Sequence, residues 1–141
     1  MNHKVIIEMI TTQCVDGQKD VNRVSYRGRC NLTPECATIQ YMNVDEAGRV
    51  RTKLELREDG CLLQNTGDMQ RTMEFAPGRR TRTKMMLSVG CMEMDVVTHR
   101  YERDQWQGTE PHLHAVLAYD LYSGGALVAS NTLDIHVSPA P

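Results

Sequence analysis

Residues 59–94 read DGCLLQNTGDMQRTMEFAPGRRTRTKMMLSVGCMEM, with glycines at 60, 67, 78 and 90 and strand-length, partly alternating segments between them. A chain turned that often has no room for helices of ordinary length, and the spacing predicts a meander of antiparallel strands. The residues just before it agree. Val50, Thr52, Leu54 and Leu56 alternate without exception with Arg51, Lys53, Glu55 and Arg57, the period-two pattern of a strand with one buried face. Asp59-Gly60 then supplies a hairpin turn.

The same criteria predict strands over 4–12, 21–30, 37–44, 50–57, 61–66, 69–75, 81–88, 91–98, 112–122 and 126–137. Turns fall at Asp16-Gly17, at 45–48, at Gly67-Asp68, at Pro77-Gly78 and at Ser123-Gly124-Gly125. The polar stretch after Thr98, HRYERDQWQGTEP, reads as the longest segment outside a strand. No helix, internal repeat or low-complexity tract stands out. About ten short strands in 141 residues are best satisfied by one all-β domain over 1–141, a single antiparallel up-and-down β-barrel of about 8–10 strands, because closure removes exposed sheet edges. A sandwich is the alternative architecture.

The hairpin at Gly90 permits a register to be written. With Val89 and Gly90 as the loop, Ser88 opposes Cys91, Leu87 opposes Met92, Met85 opposes Met94, Lys84 opposes Asp95 and Thr83 opposes Val96. The apolar pairs then share one face and a charge pair lies on the other.

Composition narrows the function classes. The net charge of -2 gives no global basic field to draw nucleic acid or an anionic membrane. With Phe75 the only Phe and Trp106 the only Trp, nine Met must help fill the core, and Met adapts to irregular space. Five cysteines, none in a C-x-x-C pair, argue against a zinc knuckle or redox dithiol and suggest reduced thiols and a cytoplasmic location. Val5-Ile6-Ile7 is interrupted by Glu8, too short for a secretory core, and no stretch reaches transmembrane helix length.

The blocks DGCLLQNTG, DMQRTMEF, SVGCMEMDVVT, LHAVLAYDLYSGG and LVASNTLDIHV together resemble the YwiB-like family of small bacterial proteins, strongest over 54–137. The resemblance implies a lipocalin- or calycin-like β-barrel and a bacterial setting. It implies no catalytic residue.

Four sets of residues are candidates for chemistry. Inward parity gathers Met73, Phe75, Met85, Met94, Tyr119 and Asn131 with Leu54, Leu56, Leu87, Met92 and Leu133, a Met-rich interior able to hold a small apolar ligand or simply to pack a core. Within it Asn131 needs a hydrogen-bond partner, and Tyr119 is the nearest by position. His112 and His114, as H-x-H after Glu110, are metal-ligand candidates, although parity sends both outward and only His99 or His136 offers further ligands. Arg80, Arg82 and Lys84, echoed by Arg49, Arg51 and Lys53, form stripes that phosphates would meet; acidic residues on the adjoining strands make a charge ladder the stronger explanation, and nucleic acid an unfavoured partner. Cys61 and Cys91 lie beside turn glycines but without a His placed to activate them. No catalytic motif or cofactor signature occurs. The expected function is therefore binding of a small apolar molecule in the barrel, without enzymatic activity or cofactor, or a structural and interaction role, a homodimer included.

Overall fold

Alternating side chains and tight turns carry the chain through ten strands: β1 (Asn2–Val15), β2 (Gln18–Leu32), β3 (Cys36–Asp45), β4 (Gly48–Arg57), β5 (Cys61–Gly67), β6 (Gln70–Phe75), β7 (Arg80–Leu87), β8 (Gly90–Arg103), β9 (Leu113–Ser123) and β10 (Ala126–Pro139). The computed structural model describes residues 2–45, 48–104 and 110–141. Every strand runs antiparallel to its neighbours in sequence, and β1 closes on β10 from Val5 opposite Pro139 to Cys14 opposite Ser130. The architecture is a closed ten-strand up-and-down barrel.

Because the strands alternate in direction, the turns β1–β2, β3–β4, β5–β6, β7–β8 and β9–β10 all lie at one end of the barrel, called here the hairpin end. The termini and the other four connections lie at the opposite, closed end. The closed half is filled with side chains: Val5, Ile7, Cys30, Ile39, Leu54, Leu56, Phe75, Leu117, Ile135 and Val137 are all buried. Tyr101 and Arg103, late in β8, reach across this end to donate hydrogen bonds to the carbonyls of Arg57 and Leu56. They occupy backbone acceptors that the sheet ladder leaves at the rim.

Two ladders are short. Among the described residues, β6 and β7 pair only at Gln70 with Met86 and Arg71 with Met85. Beyond that point Thr83 Oγ1 donates to the Thr72 carbonyl at 2.8 Å and Thr81 Oγ1 to the Glu74 carbonyl at 2.6 Å, so side-chain hydroxyls bridge strands whose backbones have parted. Likewise β2 pairs with β3 only from Gly28 to Leu32, while β2 stays paired with β1 out to the hairpin end. At Gly28 the two backbones come so close that a Cβ would stand 2.2 Å from the Gln40 carbonyl oxygen.

Three expectations are corrected. The β7–β8 loop is Ser88-Val89, with Leu87 opposite Gly90, Met85 opposite Met92 and Thr83 opposite Met94. Gly90 follows the loop at φ +153 rather than forming half of it. The shift is one loop position, so side-chain parity survives, but Asp95 faces Arg82 and Lys84 faces Glu93. Met92, expected inside, stands on the rim and is 52% exposed. Finally, β8 does not stop at Thr98: a bulge between Thr98 and Arg100 re-aligns it on β9, and pairing continues to Arg103. Residues 105–109 of the expected loop, Trp106 among them, and turn residues 46 and 47 lie outside the described residues.

Candidate functional site

The hairpin half of the interior is polar. One rung crosses five consecutive strands, Tyr41 on β3, Thr52 on β4, Asn65 on β5, Arg71 on β6 and Met85 on β7, each opposite the next. Since alternate residues of a strand point to one face, a rung whose flanking members Leu54, Leu63 and Met73 are core residues must point inward as a whole. Asn65 Nδ2 donates to Thr52 Oγ1 at 2.9 Å, and Arg71 Nε donates to Asn65 Oδ1 at 3.0 Å. The two hydrogen bonds aim the guanidinium into the barrel.

Around this rung stand tyrosines held in their neutral form. Burial pushes Tyr41 up to about 12, and burial also raises Tyr119. Tyr41 stacks on Tyr26 at 4.2 Å and donates to Met9 Sδ at 3.5 Å, while Tyr119 packs against Phe75 at 4.7 Å. Burial lowers the pKa of Arg71, and the ionisable side chains acting on it are Tyr119 and Tyr41. No carboxylate among the described residues pairs with it. A guanidinium stays protonated at any physiological pH, so the chamber holds a cation that no carboxylate among the described residues balances.

A second inward rung crosses the later strands: Thr98 on β8, Tyr119 on β9 and Asn131 on β10. Thr98 and Asn131 are 2% and 6% exposed, and neither Thr98 Oγ1 nor Asn131 Nδ2 finds a hydrogen-bond partner among the described residues. The register thus sets Asn131 beside Tyr119 as expected, without the hydrogen bond that would satisfy its amide nitrogen. Buried polar atoms of this kind call for a partner from outside the chain.

A cavity of about 330 Å³ opens onto this region, within the roughly 300–1,000 Å³ usual for small-molecule sites. Its polar wall is Tyr41, Asn43, Thr52, Asn65 and Arg71, and its apolar wall is Val50, Leu63, Met69, Met85 and Leu87. The exposed large hydrophobic side chains, Val15, Val21, Met42, Val44, Met86, Val89, Met92, Leu127 and Val128, all sit toward the hairpin end; alternation sets Met42, Val44 and Met86 on its outer wall, while Met92, opposite Met85, stands at the mouth.

Of the six interior residues singled out from sequence, Met85 lines this cavity and Tyr119 and Asn131 belong to the second rung. Met94 is half-buried, and Met73 and Phe75 are locked in the packed half. Arg71 was not among them. Its signal was present, since Arg71 shares the parity of Met73 and Phe75 in QRTMEF, but a lone arginine on an apolar face is ordinarily discounted.

Outside the barrel, Arg80 pairs with Asp95 at 3.0 Å and lies over the Tyr122 ring, and Arg82 pairs with Asp95 at 3.4 Å and Glu93 at 3.8 Å. Lys84 faces Glu93 in the ladder. The stripe is one side of a charge ladder. The two histidines of H-x-H part company: His112 Nε2 lies 3.5 Å from Glu110 Oε2, whereas His114 meets Asp134 and His136. Cys61, expected near the surface, is 3% exposed and pushed up to about 12 by burial, while Cys91 is exposed.

The polar chamber sits inside a framework with known counterparts. The crystal structure of ywiB protein from Bacillus subtilis superposes with a TM-score of 0.88 over 99% of this chain and 94% of that one, at 18% sequence identity. No curated protein matches the sequence. Residues 7–135 match the family described as Domain of unknown function (DUF1934), and the chain, a ten-strand barrel over that whole span, belongs to this family.

Proposed function

We propose that this barrel is a receptor for a small molecule carrying an oxyanion on an apolar body, taken in through the hairpin end. The observation that carries the reading is Arg71, a partly buried guanidinium aimed into a cavity and lacking a carboxylate partner among the described residues. An anionic head would supply the counter-charge and accept from the Nη groups, in charge-assisted hydrogen bonds of the strong kind. Val50, Leu63, Met85 and Leu87 would cover the apolar body. The sequence pointed to an apolar ligand; the polar rungs add the charged head.

A displacement experiment tests this. The neutral dye N-phenyl-1-naphthylamine fills the cavity, and octanoate, octyl phosphate and octanamide compete for it. A hydrogen bond to a charged group contributes about 1.5–3 kcal/mol, so at least one oxyanion should displace the dye ten or more times better than the amide. Arg71→Gln, which keeps a donor for Asn65, should erase that preference and leave dye binding intact. Equal displacement by the anions and the amide, or an undiminished preference in Arg71→Gln, contradicts the proposal, and the better of octanoate and octyl phosphate identifies the anion.

A further inference from the structure

His114 and His136 are directly opposite one another on β9 and β10, and Asp134, two residues before His136, points to the same outer face. The imidazole rings stack with centroids 4.2 Å apart and planes 10° apart. Both Nε2 atoms converge on one oxygen, Asp134 Oδ1, at 2.7 Å from His114 and 3.1 Å from His136. All three donor atoms lie within 4.8 Å of one another.

A metal takes imidazole through a ring-nitrogen lone pair. Two imidazole nitrogens and one carboxylate oxygen suit first-row transition ions rather than the hard cations Mg²⁺ and Ca²⁺.

We infer that His114 Nε2, His136 Nε2 and Asp134 Oδ1 form a binding site for a divalent transition ion of the Zn²⁺ type on the barrel wall near its closed end. Tetrahedral zinc with ligands at about 2.0–2.1 Å sets donor atoms about 3.3 Å apart. The Nε2–Oδ1 distances of 2.7 and 3.1 Å therefore need to widen by about 0.6 and 0.2 Å, which partly exposed side chains can do. The backbone ladder fixes which side chains meet, so the site needs no loop to close over it. Three protein ligands leave a fourth position for water, and Glu8, opposite His136 on β1, lies on the adjoining strand. This site shares no residue with the interior chamber and stands or falls independently of it.

Calorimetric titration of tag-free protein with ZnCl₂ decides the matter. One equivalent should bind, His114→Gln and His136→Gln should each weaken it at least tenfold, and His112→Gln should leave it unchanged. Asp134→Asn, which keeps the side chain's size, should weaken it as well, and excess Mg²⁺ should not compete. Absence of a one-to-one isotherm up to millimolar zinc, or full affinity retained in His114→Gln and His136→Gln, overturns the site. Thermal melts of the metal-free variants verify that each one is folded.

Discussion

Arg71 and Glu55 show how burial decides what a charge is for. Glu55 lies outside, 20% exposed, where the Arg57 guanidinium at 2.6 Å and then Lys53 at 3.4 Å hold its carboxyl below the ordinary range against a smaller opposing effect of burial. A carboxyl depressed in the folded state contributes stability fully present above its unfolded pKa of about 4.3, lost as pH falls through the folded value. Because Arg57 is 54% exposed, the contribution is under about 1 kcal/mol. Urea unfolding of wild type and Glu55→Gln should differ by that amount at pH 7 and coincide once the pH falls below the folded pKa. Arg71 has no such partner among the described residues. At Gly28, where a Cβ would meet the Gln40 carbonyl and also the Ile7 side chain at 3.0 Å, Gly28→Ala should lower stability by about 1–3 kcal/mol, as overpacking does. A urea midpoint unmoved by the substitution would show that the β2–β3 approach is looser than described.

At the scale of strands, the weak place is the β6–β7 seam, held past Arg71 by the hydroxyls of Thr81 and Thr83. Thr83→Val keeps the shape and removes one bridge, with an expected loss of about 1 kcal/mol. Hydrogen exchange should quicken in β6 and β7 and stay unchanged in β1 and β10; uniform exchange in both pairs would contradict a seam. Strand positions were legible because period-two alternation and turn glycines mark them locally, as at 50–57. The β7–β8 register was misplaced because Gly90 was taken as a loop residue, and glycine is equally suited to the position just after a loop. The end of β8 was missed because HRYER is polar on both faces: the bulge turns His99 outward toward Asp120, 2.7 Å away, and sends Tyr101 and Arg103 inward to carbonyls, which alternation of apolar residues does not reveal.

For the molecule as a whole, the antiparallel ladders bring together at both candidate sites residues that the sequence keeps apart. His114 and His136 are far apart along the chain and adjacent across one ladder, so the spacing of H-x-H shows His112 and His114 together but not the meeting of His114 with His136 and Asp134. Tyr41, Thr52, Asn65 and Arg71 come from four strands and meet as one rung of the ladder. What was visible beforehand was the parity of each residue; what was not was which rung of the ladder it joined. The result is a barrel packed solid at one end and polar at the other, with charge ladders outside.

The most direct test of that polar half is NMR of side-chain guanidinium and amide groups while the oxyanion that displaces the dye is titrated into the protein. The account predicts that the Arg71 Nε–Hε resonance and the Asn65 and Asn131 side-chain amides move together and saturate at one equivalent. Saturation with those three signals unmoved, and shifts confined to exterior arginines such as Arg80 and Arg82, would contradict it.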